Sequence, residues 1–269
     1  MNDLQPIVSI IIPCFNHGIF LDEAIESVCQ IRDVKYEIII VNDGSTDSFT
    51  LSKFKEFEQR GIEVLHQQNK GLGAARNAGI YASKGKYILP LDSDNKIKPE
   101  YIYKSLPILE NAIADIVYAK PIFIGENIET RKFKTFAFDP FKMLEGNFVD
   151  ACAVFNKRIW DKTGGFDTNM PVQGNEDWDF WLTSIAVNAK FYFLDEQLFY
   201  YRIIRNSMIE NATSEANHEM LKSYIYSKHY KLFETYIIHL KELEKRIQFE
   251  EAHPLRTAIK YSLKLLKLL

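Results

Sequence analysis

The chain has 269 residues, 46% of them hydrophobic and 13% aromatic, with only 12 glycines and 9 prolines. That suffices for one large α/β domain with an appendage and excludes a disordered chain, and the absence of a repeat at a period of about 20–50 residues excludes a solenoid. The net charge of −3 is unevenly placed, since residues 220–269 hold ten Lys/Arg against five Asp/Glu, leaving a basic tail on an acidic body. A body of that sign lacks the basic surface that phosphate backbones need, so no nucleic-acid partner is expected.

Cys14, Cys29 and Cys152 are widely spaced and form no C-x-x-C pair, which predicts reduced thiols rather than a disulfide framework or a zinc site. The first residues show no basic region followed by a long apolar run, and no apolar stretch approaches the ~20 residues that span a bilayer. The expected location is therefore cytoplasmic, at most peripheral at the inner face of the membrane.

In chain order, Ile7–Ile12 is almost wholly β-branched and apolar, as a strand covered on both faces requires, and Pro13 ends it. Ile19–Gln30 places Phe20, Ala24, Ile25 and Val28 at helical spacing, and Tyr36–Val41 is a second buried-type strand running into Asn42-Asp43-Gly44. A helix from Ser45 to about Arg60, a strand over Ile62–His66, a helix over Gly71–Lys84 and a strand over Lys86–Leu91 continue the alternation. The pattern predicts an open, Rossmann-like, mostly parallel sheet flanked by helices, with its ligand site beyond the carboxyl ends of the strands, where Asn16, Asp43 and Asp92 fall.

Beyond Asp94 the alternation loosens. Glu100–Asn111 reads as a helix, Asp115–Lys120 and Ile122–Gly125 as strands, Asn175–Asn188 as a helix, Phe191–Leu194 and Leu198–Ile203 as short strands, and Phe133–Phe148 has no clear period. From about Ser214 the chain is helical. The expected organisation is one α/β domain over 1–212, in halves 1–95 and 96–212, followed by a helical appendage over 213–269.

Asp92-Ser93-Asp94 leaves an apolar strand with two carboxylates at i and i+2, which extended geometry can turn to one side. Hard oxygen ligands of this kind suit Mg²⁺ or Mn²⁺, whose remaining ligands are commonly waters and substrate phosphates. A solvated turn accounts equally for Asp, Ser and Asn in succession. The company of the motif separates the two readings. Ser9-Ile-Ile-Ile-Pro-Cys-Phe-Asn16, Val41-Asn-Asp-Gly-Ser-Thr-Asp47, Gln68-Asn-Lys-Gly-Leu-Gly-Ala-Ala-Arg-Asn-Ala-Gly79, Leu91-Asp-Ser-Asp94 and Gly164-Gly-Phe-Asp167 through Glu176-Asp177 resemble, in this order, the family 2 glycosyltransferases, which have the A-type glycosyltransferase fold. The resemblance covers about residues 7–207.

It implies transfer of a sugar from a nucleoside-diphosphate donor, UDP being the expected nucleotide, to a hydroxyl of a glycan or lipid-linked saccharide. Pro13, Phe15 and Asp43 would lie around the base and ribose, Asn16, Asn69, Gly73 and Arg76 elsewhere in the nucleotide-sugar site, Ser93 and Asp92 at the donor, and Asp92 with Asp94 at the metal, making 1–95 the nucleotide-binding half and 96–212 the acceptor-binding half. Gly71 and Gly73 would let backbone approach the ligand, and the Arg76 guanidinium would hold Asp92 or a phosphate.

Glu176-Asp177 follows Asn175 in the first turn of the Trp178-Asp-Phe-Trp-Leu helix. Acids there complement the helix dipole whatever their role, with Asn175 as the cap. The resemblance makes Asp177 the general base of an inverting displacement, with Glu176 orienting the acceptor or the base. One departure stands out: in Tyr200-Tyr-Arg-Ile-Ile-Arg-Asn-Ser207, Ile204 occupies a position where relatives often carry a histidine able to assist the metal and diphosphate. Metal ligation would then lean on Asp92, Asp94 and water, with Arg202 or Arg205 toward the diphosphate. The six histidines show no metal-ligand spacing.

In Leu255–Leu269, Arg256, Lys260, Lys264 and Lys267 recur beside Leu255, Ile259, Leu263 and Leu266, an amphipathic helix that fits docking on the body, a second subunit, or an anionic membrane surface. Two other functions share parts of this pattern. A sugar nucleotidyltransferase has a similar plan, but Pro13-Cys-Phe-Asn-His-Gly18 lacks its Gly-rich triphosphate loop; a non-catalytic glycan- or partner-binding relative would not need Asp92, Asp94 and Asp177 together.

Overall fold

The computed structural model describes residues 5–126, 128, 133–204 and 215–265. The chain divides into two compact units, Met1–Ile225 and Tyr226–Leu269.

In the first unit β1 (Val8–Cys14) is buried at every position, as its β-branched run demands of a central strand. It pairs in parallel with β2 (Tyr36–Asp43) on one side and β4 (Tyr87–Pro90) on the other, and β3 (Glu63–Gln67) extends the parallel set beyond β2. The crossovers are α1 (Gly18–Cys29), α2 (Ser48–Gln59) and α3 (Leu72–Ala82). Asp47 caps α2, accepting from Thr50 N at 2.7 Å, which satisfies one of the free amides at a helix start. Gly79 brings α3 against the sheet: a Cβ there would run into Ile11 and come within 3.0 Å of Val41 Cγ2.

After β4 come β5 (Lys96–Ile97), α4 (Pro99–Glu110), β6 (Ile116–Gly125), α5 (Pro140–Glu145), β7 (Val154–Asn156), α6 (Lys157–Thr163), α7 (Glu176–Ala186) and β8 (Phe191–Ile203). β7 is antiparallel to both β4 and β6, while β6 and β8 are parallel. The eight-stranded order is therefore β3-β2-β1-β4-β7-β6-β8-β5, a mixed open sheet with its parallel half at the amino-terminal side. The open α/β architecture expected from the alternation is present.

Two pairs of expected short strands are single strands. β6 runs through Pro121, where the pairing with β8 shifts register between Ala119 and Pro121; the imino acid breaks the ladder locally and a bulge absorbs it. The same irregularity on β8 lies at Asp195-Glu196, whose acids interrupt the apolar run without ending the strand.

α8 (Glu215–Lys228) buries Leu221 and Ile225, and Tyr224 donates its hydroxyl to Asp167 Oδ2 at 2.8 Å. The first unit thus ends at Ile225, inside this helix, whereas the composition places the change at 212/213. The second unit consists of the end of α8, α9 (Tyr230–Ala252) and α10 (Pro254–Leu265). No helix among the described residues is long and apolar enough to cross a membrane.

Candidate active site

Side-chain bonds to main chain tie the carboxyl end of β1 to the loop after β2, and that of β2 to the loop after β3. Asn16, in the left-handed region at φ 56°, accepts through Oδ1 from Thr46 N at 2.8 Å and Asp47 N at 2.9 Å. Asp43 is 4% exposed and accepts from Lys70 N and Gly71 N, each at 2.9 Å, and from Gln67 Nε2 at 2.7 Å. Three donors leave one lone-pair direction of that carboxylate for a ligand. The sequence places both residues at a nucleotide; their bonds to backbone amides fix the loops around such a site. Pro13 is buried within β1 opposite Val41, Phe15 is 45% exposed, and Asn69 is exposed on the loop after β3.

Asp92-Ser93-Asp94 follows β4 in a turn closed by Asn95 N donating to Asp92 O at 2.9 Å. Arg76 on α3, 2% exposed, donates from Nη2 to Asp92 Oδ1 at 2.7 Å. Its Nε and Nη1 are buried without a partner, and its guanidinium lies 5.4 Å from the centre of the Phe166 ring. Burial works against the Arg76 charge, but Asp92, Glu176 and Asp177 outweigh it, so the pKa lies above its ordinary value. One cation is thus shared by three carboxylates and has donors to spare. Asp94 is raised to about 7, first by desolvation and then by the neighbouring Asp92 charge.

Ser93 is buried and contacts the Cys14 thiol, which burial pushes up to about 11. His17, given no role by its spacing, follows directly and feels the Asp92 charge, although burial dominates and lowers its pKa.

Asp92 and Asp94 offer the hard oxygen donors that Mg²⁺ or Mn²⁺ takes, and the mutual repulsion that raises Asp94 is what a bound dication would relieve. Among the described residues no third His, Cys, Asp or Glu joins them in a metal-binding group. Arg202 donates from Nε to Asp94 O at 3.0 Å and from Nη2 to Glu23 Oε2 at 3.0 Å; it braces the turn rather than presenting a free guanidinium. Arg205 lies outside the described residues.

Glu176 and Asp177 open α7 as expected. Asn175 holds the cap position but makes no side-chain cap bond; Glu176 Oε1 instead accepts from Gly174 N at 3.0 Å, and Asp177 Oδ1 from Trp178 N at 2.8 Å. Asp177 is raised to about 7, by desolvation first and by Asp150 next, with Arg76 opposing. Gly73 lies directly against this segment, since a Cβ there would come within 2.8 Å of Asp167 O and 3.3 Å of Glu176 Cγ. The close approaches at Gly73, and at Gly71 to Gln173, are to the protein itself.

The pattern of the sequence missed Asn147 and Asp150. Asn147 Nδ2 donates to Asp177 Oδ2 at 2.8 Å. Its segment is held by two indoles of α7: Trp178 Nε1 donates to Met143 O at 2.7 Å and Trp181 Nε1 to Val149 O at 2.9 Å. Two tryptophans at i and i+3 on one helix, each needing an acceptor when buried, were the available signal that α7 pins a neighbouring loop.

The open mixed sheet flanked by helices is that of the A-type glycosyltransferase fold. Residues 9–166 match the pattern described as Glycosyl transferase family 2, and the chain belongs to that family. It is 28% identical to an uncharacterised glycosyltransferase of Methanocaldococcus jannaschii, over 82% of this chain and 78% of that one. Against the putative teichuronic acid biosynthesis glycosyltransferase TuaG of Bacillus subtilis it is 26% identical, over 78% of this chain and 84% of that one.

Among solved structures, TarS residues 1–349 of S. aureus in complex with UDP-GlcNAc superposes with a TM-score of 0.65 at 19% identity, covering 79% of this chain and 64% of that one. The mannosyltransferase PcManGT of Pyrobaculum calidifontis, in complex with GDP-Man and Mn²⁺, gives 0.59 at 15% identity over 98% and 81%. At those identities the likeness is one of fold.

Proposed function

We propose that the protein moves a sugar from a nucleoside-diphosphate donor, with UDP the favoured nucleotide, to a hydroxyl of a glycan or lipid-linked saccharide in one inverting displacement. The observation that carries the reading is the shared cluster: buried Arg76 with two unpartnered nitrogens, set among Asp92, Glu176 and Asp177. Unpaired donors in a buried guanidinium are costly unless a further anion completes them, and a donor diphosphate is such an anion.

Asp177 accepts the proton of the acceptor hydroxyl as its oxygen attacks the anomeric carbon. The new C–O bond forms as the bond to the diphosphate breaks, and the nucleoside diphosphate leaves with the electron pair. A single in-line displacement inverts the anomeric centre and needs no covalent sugar–enzyme intermediate. Asn147 holds the Asp177 carboxylate by its free oxygen, and Glu176 fixes the turn before α7. Asp92 and Asp94 would hold the divalent cation, which neutralises charge on the departing diphosphate. The Mn²⁺ and GDP-Man in the complex of PcManGT, and the UDP-GlcNAc in that of TarS, support a donor of this class.

The test is a panel of UDP-, GDP-, dTDP- and CMP-linked sugars offered with and without Mn²⁺ or Mg²⁺, reading nucleotide release. Release of a nucleoside diphosphate from one donor, only with metal, is expected. Pyrophosphate formed from a sugar phosphate and a nucleoside triphosphate would instead make the protein a nucleotidyltransferase, and neither binding nor turnover with any donor would make it a non-catalytic relative.

A further inference from the structure

Outside the site, the most pronounced chemical pattern lies on α10. Its sequence, Pro-Leu-Arg-Thr-Ala-Ile-Lys-Tyr-Ser-Leu-Lys-Leu, holds three basic residues and no acid. Leu255 and Ile259 follow one another at i and i+4 and are 80% and 61% exposed, with Leu263 next on the same line. Arg256, Lys260 and Lys264 each lie one residue later, a parallel strip roughly 100° around the helix. Tyr261 stands on the far side, where its hydroxyl takes a bond from Arg246 Nη2 at 3.0 Å and donates to Glu250 Oε1 at 3.1 Å. Those bonds to α9 fix the rotation of α10 about its own axis and turn its leucine–isoleucine line away from α9.

We propose that α10 is a surface-lying membrane anchor that takes anionic phospholipid, its apolar line entering the acyl boundary and its basic strip lying at the headgroups. The charge pattern favours this occupant over a second copy. A second copy docked through the same apolar line would set the three cations of one helix beside those of the other, which disfavours self-pairing. α9, with Lys231, Lys241, Lys245 and Arg246 against Glu234, Glu242, Glu244, Glu250 and Glu251, offers an anionic surface no such match. Lys260 does lie 3.9 Å from Glu250, but that carboxylate already binds Arg246, and exposed pairs of this kind are weak. Three cations within its twelve described residues suit α10 to the surface of a bilayer rather than its hydrocarbon core. The proposal stands on α10 alone and is independent of the transfer chemistry.

The test mixes the full chain with vesicles of phosphatidylcholine alone and of phosphatidylcholine with phosphatidylglycerol, and measures the bound fraction by sedimentation. Binding is expected only to the anionic vesicles, and it should fall steeply between about 0.01 M and about 1 M salt as the Debye length shrinks from about 30 Å to about 3 Å. R256Q/K260Q/K264Q should weaken partition about a hundredfold, and L255S/I259S should weaken it at unchanged charge, with both variants melting like the parent. Equal binding to both vesicle types, no binding to either, or full binding by the triple glutamine variant overturns the proposal. So does a dimer in solution that L255S/I259S dissociates, which would assign the face to a second copy, or a lowered melting temperature in L255S/I259S, which would assign it to the protein's own packing.

Discussion

Asp177 carries the sharpest consequences at the residue scale. As the proposed base it must be ionised, and its pKa of about 7 predicts turnover that rises through about pH 7 and levels off above it. Asp177→Asn should lower turnover by about 10²–10⁴, while donor affinity, read by calorimetry with metal present, stays close to that of the parent. Asn147→Ala removes a donor that favours the ionised carboxylate, so the acidic limb of the pH profile should move to higher pH; an unmoved limb would show that Asn147 only shapes the loop.

The same raised pKa links to stability. An aspartate raised in the folded state contributes stability that is full below its unfolded pKa of about 3.9 and is lost as pH rises through about 7. Asp177→Asn should therefore melt higher than the parent at pH 8, with the gap closing below pH 4. Melting curves at the two pH values check the sign.

Where Asn16, Asp43, Asp92, Asp94 and Asp177 fall was legible in the sequence because they sit at the ends of strongly patterned elements. What most of them bond to was not. Asn16 and Asp43 look like ligand contacts in one dimension, yet they bond the backbone of residues 46–47 and 70–71, and only the fold brings those amides within reach.

Among the elements, those with a long uninterrupted period were legible to within a few residues: β1, β2 and α1 to α3 all fall where the apolar spacing puts them. β5 and β7 escaped because two or three residues cannot display a period, and their strand character comes from pairing with Phe199–Tyr200 and with β4 and β6. β6 and β8 looked broken because Pro121 and Asp195-Glu196 are poor strand residues that tertiary pairing overrides. The contact of α3 with the sheet gives a direct test. Gly79→Ala places a methyl against Ile11 and Val41, and overpacking of this kind costs about 1–3 kcal/mol. In a chain of this size that should lower Tm by about 2–4 °C per kcal/mol. A variant melting with the parent would mean that α3 stands off the sheet.

For the whole molecule, all the candidate site residues belong to the unit ending at Ile225, and α8 contributes Leu221, Tyr224 and Ile225 to that unit. A chain ending at Lys228 should keep the parent's thermal stability for this unit and its turnover on a soluble acceptor. One ending at Ala212 should lose both, because it uncovers the surface that Leu221 and Ile225 bury. The sequence showed that a helical appendage follows the α/β body; where it starts depends on which face of α8 is buried, and the helical period alone does not reveal that.

The account as a whole rests on Asp92 and Asp94 working with a divalent cation at the diphosphate of a sugar donor. Nucleoside diphosphate release by the parent and by Asp94→Asn, each with saturating Mn²⁺ and after chelation, tests this most directly. The account predicts metal-dependent release by the parent that chelation abolishes and that added Mn²⁺ fails to restore in the variant. Equal release by both proteins, or release indifferent to chelation, would contradict it.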